Sequence, residues 1–327
     1  MLCTCLWFIR WLEKILFPKA IIRLICSHDL QGRWFEKRFD LKFPFIISNF
    51  TVRDADVTIA TSWLTSYWVN RLSPQKGKKV YFIQGFETWG SPQLNIKVLK
   101  SYRLAFDEHI SVSTALHDRL FNEAGCKSKV VCNGVEDCFL TPVEKEIPSE
   151  SIITIGIPYR SSRGDDIKNC TLGISVLYQI KKKYPHVKLV AFGFKKPSEW
   201  DEQIIFVENP SREVLVKLYA HINIFYVPSI YEGWGLPAME AMAQKCCVIA
   251  GDSGVIKEIG RDKINCIILE DPRNKNEAIN KLSELVCNPN LVSEIGEAAR
   301  TSVSNMSTTK SAKRFEEILM SLLKEYK

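Results

Sequence analysis

Short apolar runs alternate with stretches of helical period along most of this chain. In the first half, Asp56–Ala60, Lys79–Ile83, His109–Val112 and Lys129–Val131 read as strands. Helices are predicted from Trp63 through Arg71 and from about Ala115 to Ala124. In the second half the strands are Ser151–Ile155, Lys188–Phe192, Ile204–Phe206, Ile222–Val227, Cys247–Ala250 and Asn265–Leu269. Between and after them come a helix opening at Lys168-Asn169, then Val214–Ala220, Ala238–Ala243, Ala278–Cys287, Leu291–Thr301 and Ser311–Tyr326. Strands that alternate with helices build parallel, doubly wound sheets, whose ligands lie beyond the strand C-termini. The polar tips that fall there are Thr61-Ser62, Gln84-Gly85-Phe86-Glu87, Ser113, Asn133-Gly134, and the run from Gly156 to Arg163.

The chain start departs from this rhythm. Met1–Cys26 sets Leu6-Trp7-Phe8-Ile9, Trp11-Leu12 and Ile15-Leu16-Phe17 around a narrow stripe of Arg10, Glu13 and Lys14. Charges recur too often for a membrane-spanning helix, which needs about 20 mainly apolar residues. Two readings stay open: a cationic amphipathic helix lying in a membrane interface, and a helix packed on the N-terminal domain. Gln31–Phe50 has little period and reads as irregular. Thr141–Glu150, with Pro142, Pro148 and Glu144-Lys145-Glu146, reads as a linker. The predicted organisation is residues 1–50 as an atypical N-terminal segment and 51–147 as a first domain. Residues 148–310 form a second, and 311–327 a helix returning to the first.

Composition narrows the class further. With 327 residues, 46% hydrophobic and 25% charged, the chain is long enough for two globular cores. A net charge of +7 suits an anionic membrane surface, an acidic glycan or a nucleotide, and selects none of them. No nucleic-acid partner is expected. The 11 cysteines lack Cys-x-x-Cys spacing, so neither a disulfide framework nor a zinc site is expected. A reducing cytosol is the default setting, and the first residues lack a secretory pattern.

The chemistry centres on Ser229–Gln244, read as SIYEGWGLPAMEAMAQ. An apolar strand leads in, Gly233 and Gly235 permit a tight turn, and Pro237 suits the first position of a helix. Strand, glycine loop and helix N-terminus together make a site for an anion, most often a phosphate. Glu232 lies in the loop, and Glu240 about one turn into the helix. Carboxylates repel phosphate but accept hydrogen bonds from hydroxyls. A diphosphate flanked by two polyols, as in a nucleotide sugar, therefore suits the pair. A glycine turn that merely caps a core helix, with both carboxylates solvated, fits the same spacing.

Glu-x7-Glu within EGWGLPAMEAMA, followed by Val248-Ile249-Ala250, resembles the donor-site signature of retaining glycosyltransferases of the GT-B fold, family 4. The similarity runs from about Asp54 to the C-terminus. It implies two Rossmann-like doubly wound domains facing across a cleft. It also implies transfer of a sugar from a nucleotide-diphosphate sugar to a saccharide or lipid-linked acceptor, with retention and without a required metal or other cofactor. In that family the first Glu, here Glu232, sits by the donor sugar, and the second, here Glu240, holds the ribose hydroxyls. The loop Gly233, Trp234, Gly235, Leu236 and Pro237 faces the sugar and diphosphate. By position, Arg160 and Lys168 grip the pyrophosphate, with Arg163 the second choice for the arginine; Gly156 and Glu258 complete the donor set. On the acceptor side the same resemblance points to Thr61, Ser62, Gln84, Gly85 and Glu87.

Three departures bear on these expectations. Thr61 stands where many relatives carry a His, and the usual opening strand has no clear counterpart before Asp56. Asp252-Ser253-Gly254-Val255 replaces a common Gly-Gly turn. Surface-polysaccharide or lipid-linked saccharide synthesis, in the cytoplasm at the inner face of the cell membrane, is the expected setting. Alternatives are a sugar-nucleotide-binding protein of weak activity and a sugar-nucleotide epimerase. A dinucleotide oxidoreductase is disfavoured because no Gly-x-Gly-x-x-Gly follows an early strand.

Overall fold

The computed structural model describes residues 22–25, 47–88, 90–141, 144–145, 148, 153–160, 167–197, 200 and 202–324. The amphipathic stretch before Ile22, the loop position Arg163 and most of Gln31–Phe50 lie outside them. Two compact units form: residues 1–133 with 308–327, and residues 134–307.

The first unit holds β1 (Ile22–Ile25), β2 (Val57–Ala60), β3 (Lys78–Ile83), β4 (Glu108–Ser111) and β5 (Lys129–Val130), adjacent in chain order. Every neighbouring pair is parallel. β1 corrects the sequence reading twice. An opening strand does precede Asp56, and Ile22–Ile25 is strand rather than the end of an amphipathic helix. A four-residue run is too short to display a period; its pairing with β2 decides its conformation. All four residues of β2 are buried, as a strand covered on both faces requires.

α1 (Trp63–Asn70) opens at Ser62, whose hydroxyl accepts from the Thr65 N–H in a capping box. α2 (Pro92–Ser101) has no clear apolar stripe, but Ser91 caps it and Pro92 starts it. α3 (Thr114–Ala124) opens on Ser113 and ends at Gly125 in the left-handed conformation. The last helix, Thr308–Lys324, belongs to this unit: Phe315 meets Phe82 edge-on with ring centroids 5.2 Å apart.

The second unit begins at Gly134, upstream of the Pro142–Pro148 stretch. Its first helix, α4 (Asp137–Leu140), is tied to this unit by hydrogen bonds from Gln244 to the Phe139 carbonyl and from Arg300 to the Leu140 carbonyl. Six parallel strands follow: β6 (Thr154–Tyr159), β7 (Lys188–Gly193), β8 (Ile204–Glu208), β9 (Ile224–Val227), β10 (Cys247–Gly251) and β11 (Ile267–Leu269). Their order is β11-β10-β9-β6-β7-β8, so the winding order reverses between β6 and β9, which pair in parallel. Crevices for ligands open beyond the strand C-termini at such a switch point.

The intervening helices are α5 (Cys170–Lys183), α6 (Arg212–His221), α7 (Leu236–Ala243), α8 (Val255–Ile259), α9 (Lys275–Val286) and α10 (Pro289–Val303); Thr308–Lys324 is α11. Ile155, Ile157, Leu189, Ile224, Ile249, Leu282 and Ile295 anchor one continuous core. β6 runs through Pro158 to Tyr159, so Gly156 lies inside the strand and not at its tip. It is a packing glycine, because a Cβ there would stand 2.4 Å from Ile222 Cδ1.

Candidate functional site

Two chain segments meet at the switch point of the second sheet. After β6 the chain passes Arg160, which is exposed, and Lys168 and Asn169 then lead into α5. After β9 it forms the loop Pro228–Gly235 before α7. Neither α5 nor α7 has a side-chain N-cap. Asn169, in the left-handed conformation, directs its amide to the Pro272 carbonyl at 2.8 Å instead. Gly235 precedes α7 at φ 86°, a geometry that a side chain would strain. Leu236 is thus the first helical residue and Pro237 the second, one place later than the sequence predicted.

Between these helix starts, Lys168 Nζ and Glu232 Oε1 form an ion pair at 2.6 Å. Both side chains keep some exposure, 28% and 16%. The loop is zipped to the turn after β10. Glu232 N–H donates to Ser253 Oγ at 3.2 Å, and Val255 N–H donates to the Trp234 carbonyl. The Val255 amide is therefore spent inside the fold. Gly254, at φ 57°, fits because a Cβ would stand 2.2 Å from the Trp234 oxygen. The Trp234 side chain is buried, and its indole N–H points at Met239 Sδ, 3.3 Å away, so only the backbone of this residue is open to a ligand role. The void lined by Val227, Glu232, Trp234 and Val255 measures about 10 Å³, scarcely room for one water.

Glu240 has other surroundings than the sequence suggested. Its side chain is 7% exposed, and it is not solvated. Oε1 accepts from Arg212 Nη1 at 2.8 Å, and Oε2 from the Tyr219 hydroxyl at 3.1 Å. Arg212 reaches Glu136 Oε1 with its other nitrogen, at 2.9 Å. Burial pushes the Glu240 carboxyl up, and Arg212 opposes that shift. Burial, then Glu240, push the Tyr219 phenol well above its ordinary range. Arg212 and Tyr219 carry no motif in the sequence; only their side-chain hydrogen bonds from α6 to Glu240 on α7 reveal them. Glu258 lies on α8, half-buried.

In the first unit the strand-tip residues fall as follows. Thr61 and Ser62 are buried and occupied at the start of α1. Glu87 is buried, and its Oε2 accepts from the Trp63 N–H at 2.7 Å, a carboxylate at a helix N-terminus. The Gly85 carbonyl accepts from the Tyr102 hydroxyl. Gln84 differs: both polar atoms of its amide are buried and meet no hydrogen-bond partner among the described residues. Among the described residues no group of three or more His, Cys, Asp or Glu could hold a metal ion.

A larger depression of about 360 Å³ involves Asn223, Lys245 and Glu297. Asn223 and Lys245 precede β9 and β10, so it opens at the wrong strand ends for a parallel-sheet ligand site.

These two parallel-sheet units are those of the GT-B fold, and solved structures agree. Sucrose-phosphate synthase from Thermosynechococcus elongatus superposes with a TM-score of 0.68 at 17% identity, over 83% of this chain and 74% of that one. HepE of Anabaena, solved with UDP and glucose, gives 0.66 at 18% identity, over 82% and 78%. Residues 160–302, all in the second unit, match the family of group 1 glycosyl transferases. Over 90 residues the chain is 32% identical to the MMP α-(1→4)-mannosyltransferase of Mycolicibacterium hassiacum, 28% of this chain. The match spans only 22% of that relative's length.

Proposed function

We propose that the protein transfers a glycosyl unit from a nucleotide-diphosphate sugar to a saccharide or lipid-linked acceptor, with retention, as a family 4 type enzyme. The observation that carries this reading is the Lys168–Glu232 pair set between two helix N-termini without side-chain caps. Departure of a nucleoside diphosphate builds negative charge, which Lys168, Arg160 and the helix amides would stabilise. Glu232 would hold the donor sugar's hydroxyls, and Glu240 the ribose. In this reading side chains and amides, rather than a divalent cation, neutralise the leaving group. The orphaned Gln84 amide, a donor and an acceptor at the tip of β3, suits an acceptor hydroxyl.

The proposed setting is the cytosolic face of a membrane, in glycan synthesis. The free thiols of Cys126, Cys246 and Cys266 suit a reducing compartment. Among the described residues no helix is long and apolar enough to cross a membrane.

Thermal-shift and calorimetric screens against UDP-, GDP- and dTDP-sugars test for the donor, since a bound donor stabilises by mass action. Glu232→Gln should abolish transfer while sparing nucleotide affinity, and Lys168→Met should weaken nucleoside diphosphates by about 1–3 kcal/mol. Full turnover in Glu232→Gln would refute the assignment.

A further inference from the structure

The Glu240 surroundings contain more than the reading above uses. A carboxylate offers about four lone-pair positions. Arg212 occupies one on Oε1 and Tyr219 one on Oε2, leaving one on each oxygen. Two acceptor positions side by side match the two hydroxyls of a vicinal diol. The side chains that hold the carboxylate are themselves held. Tyr219 is ringed edge-on by Phe139, Phe192 and Phe225, with centroids 5.9, 5.7 and 5.3 Å away. The Arg212 guanidinium stands 5.7 Å over the Phe139 ring and divides its nitrogens between Glu240 and Glu136. Phe139 and Glu136 belong to the segment that opens the second unit.

Resting on the donor-site reading, we propose that Arg212 is a positioning residue for the nucleoside end of the site. It holds the Glu240 carboxylate charged and turned so that its open positions meet the ribose diol, and it fastens that carboxylate to the start of the second unit through Glu136. A lone buried carboxylate would instead take up a proton and donate where it must accept. The other ionisable groups packed around it do not supply the charge. Glu136 is itself an acid. Cys138 on α4 and Cys246 beside Tyr219 have thiols raised by burial. Lys145 is spent on the Tyr219 and Ile222 carbonyls. From α10, Arg300 is spent on the carbonyls of Ala243 and Leu140.

The test titrates UDP, GDP and their 2′-deoxy counterparts into the full-length protein across about pH 6–8, a window in which an uncompensated buried carboxyl would titrate. In the wild type, the ratio of ribonucleotide to deoxynucleotide affinity, in which the terminal phosphate's own titration at about pH 6 cancels, should stay flat with pH and favour the ribonucleotide. In Arg212→Met that ratio should fall as pH falls, approaching about tenfold per pH unit. Arg212→Lys keeps the charge but loses the fork, so its profile should stay flat while the ribose preference shrinks. Glu240→Gln should show neither pH dependence nor ribose preference, and adding Arg212→Met to it should cost nothing further. A flat Arg212→Met profile, or a Lys variant that matches wild type in ribose preference, overturns the proposal while the donor-site reading stands. Failure of the wild type to bind any nucleoside diphosphate overturns both.

Discussion

Gly254 offers a sharp check on how the candidate loop is built. It sits at φ 57°, and a Cβ there would stand 2.2 Å from the Trp234 carbonyl oxygen and 3.0 Å from Glu232 Cβ. Gly235, in the same loop, also has positive φ, at 86°, but its nearest neighbour would be Glu232 Cγ at an ordinary 3.5 Å. Gly235→Ala should therefore cost only the left-handed backbone, about 1–2 kcal/mol. Gly254→Ala bears a similar backbone cost and an overlap with a main-chain atom that cannot rotate aside, about 1–3 kcal/mol more. The total of about 2–5 kcal/mol should lower the melting temperature of a unit this size by roughly 4–20 °C. Urea unfolding of both variants, read beside UDP affinity, separates the two effects. Gly254→Ala should also lose nucleotide affinity, because relieving the overlap moves Glu232. Equal stabilities to within about 0.5 kcal/mol would refute the close approach of the two loops.

Two further outcomes follow from carboxylates that accept backbone N–H bonds. Glu87→Ala should destabilise the first unit by about 1–3 kcal/mol, because the Trp63 N–H loses its acceptor, and Glu87→Gln by less; urea unfolding decides. For Glu277, burial pushes the carboxyl up, but the N–H groups of Glu270 and Asp271 and the Lys281 ammonium outweigh it and bring the net value below the ordinary range. Its stabilising contribution should be complete above about pH 4.3 and fade as the pH falls through the lowered folded value. The melting-temperature gap between wild type and Glu277→Gln should close over that window; a gap that widens on acidification would contradict the assignment.

The strands and helices of the second unit were largely legible because each buried strand is a short apolar run and each long helix has an apolar stripe. The order of strands was not. Only tertiary pairing places β6 beside β9, and that reversal is what brings Lys168 to Glu232 across 64 positions of sequence. The spacing from Glu232 to Glu240 marked both residues as a pair, yet it treated them alike. Burial separated them: one keeps its carboxylate at the loop surface, the other lies between α6 and α7 with Arg212 and Tyr219. Gly156 held a position that sequence assigned to a strand tip, and packing placed it inside β6 against Ile222. β1 was hidden for a related reason, since a short strand is defined by the partner that accepts its hydrogen bonds. The sequence by itself therefore determined the local conformations and the residue types available for chemistry. Which of those groups face a ligand and which face one another was decided by the sheet order and helix packing, because contacts between distant segments leave no period in the chain.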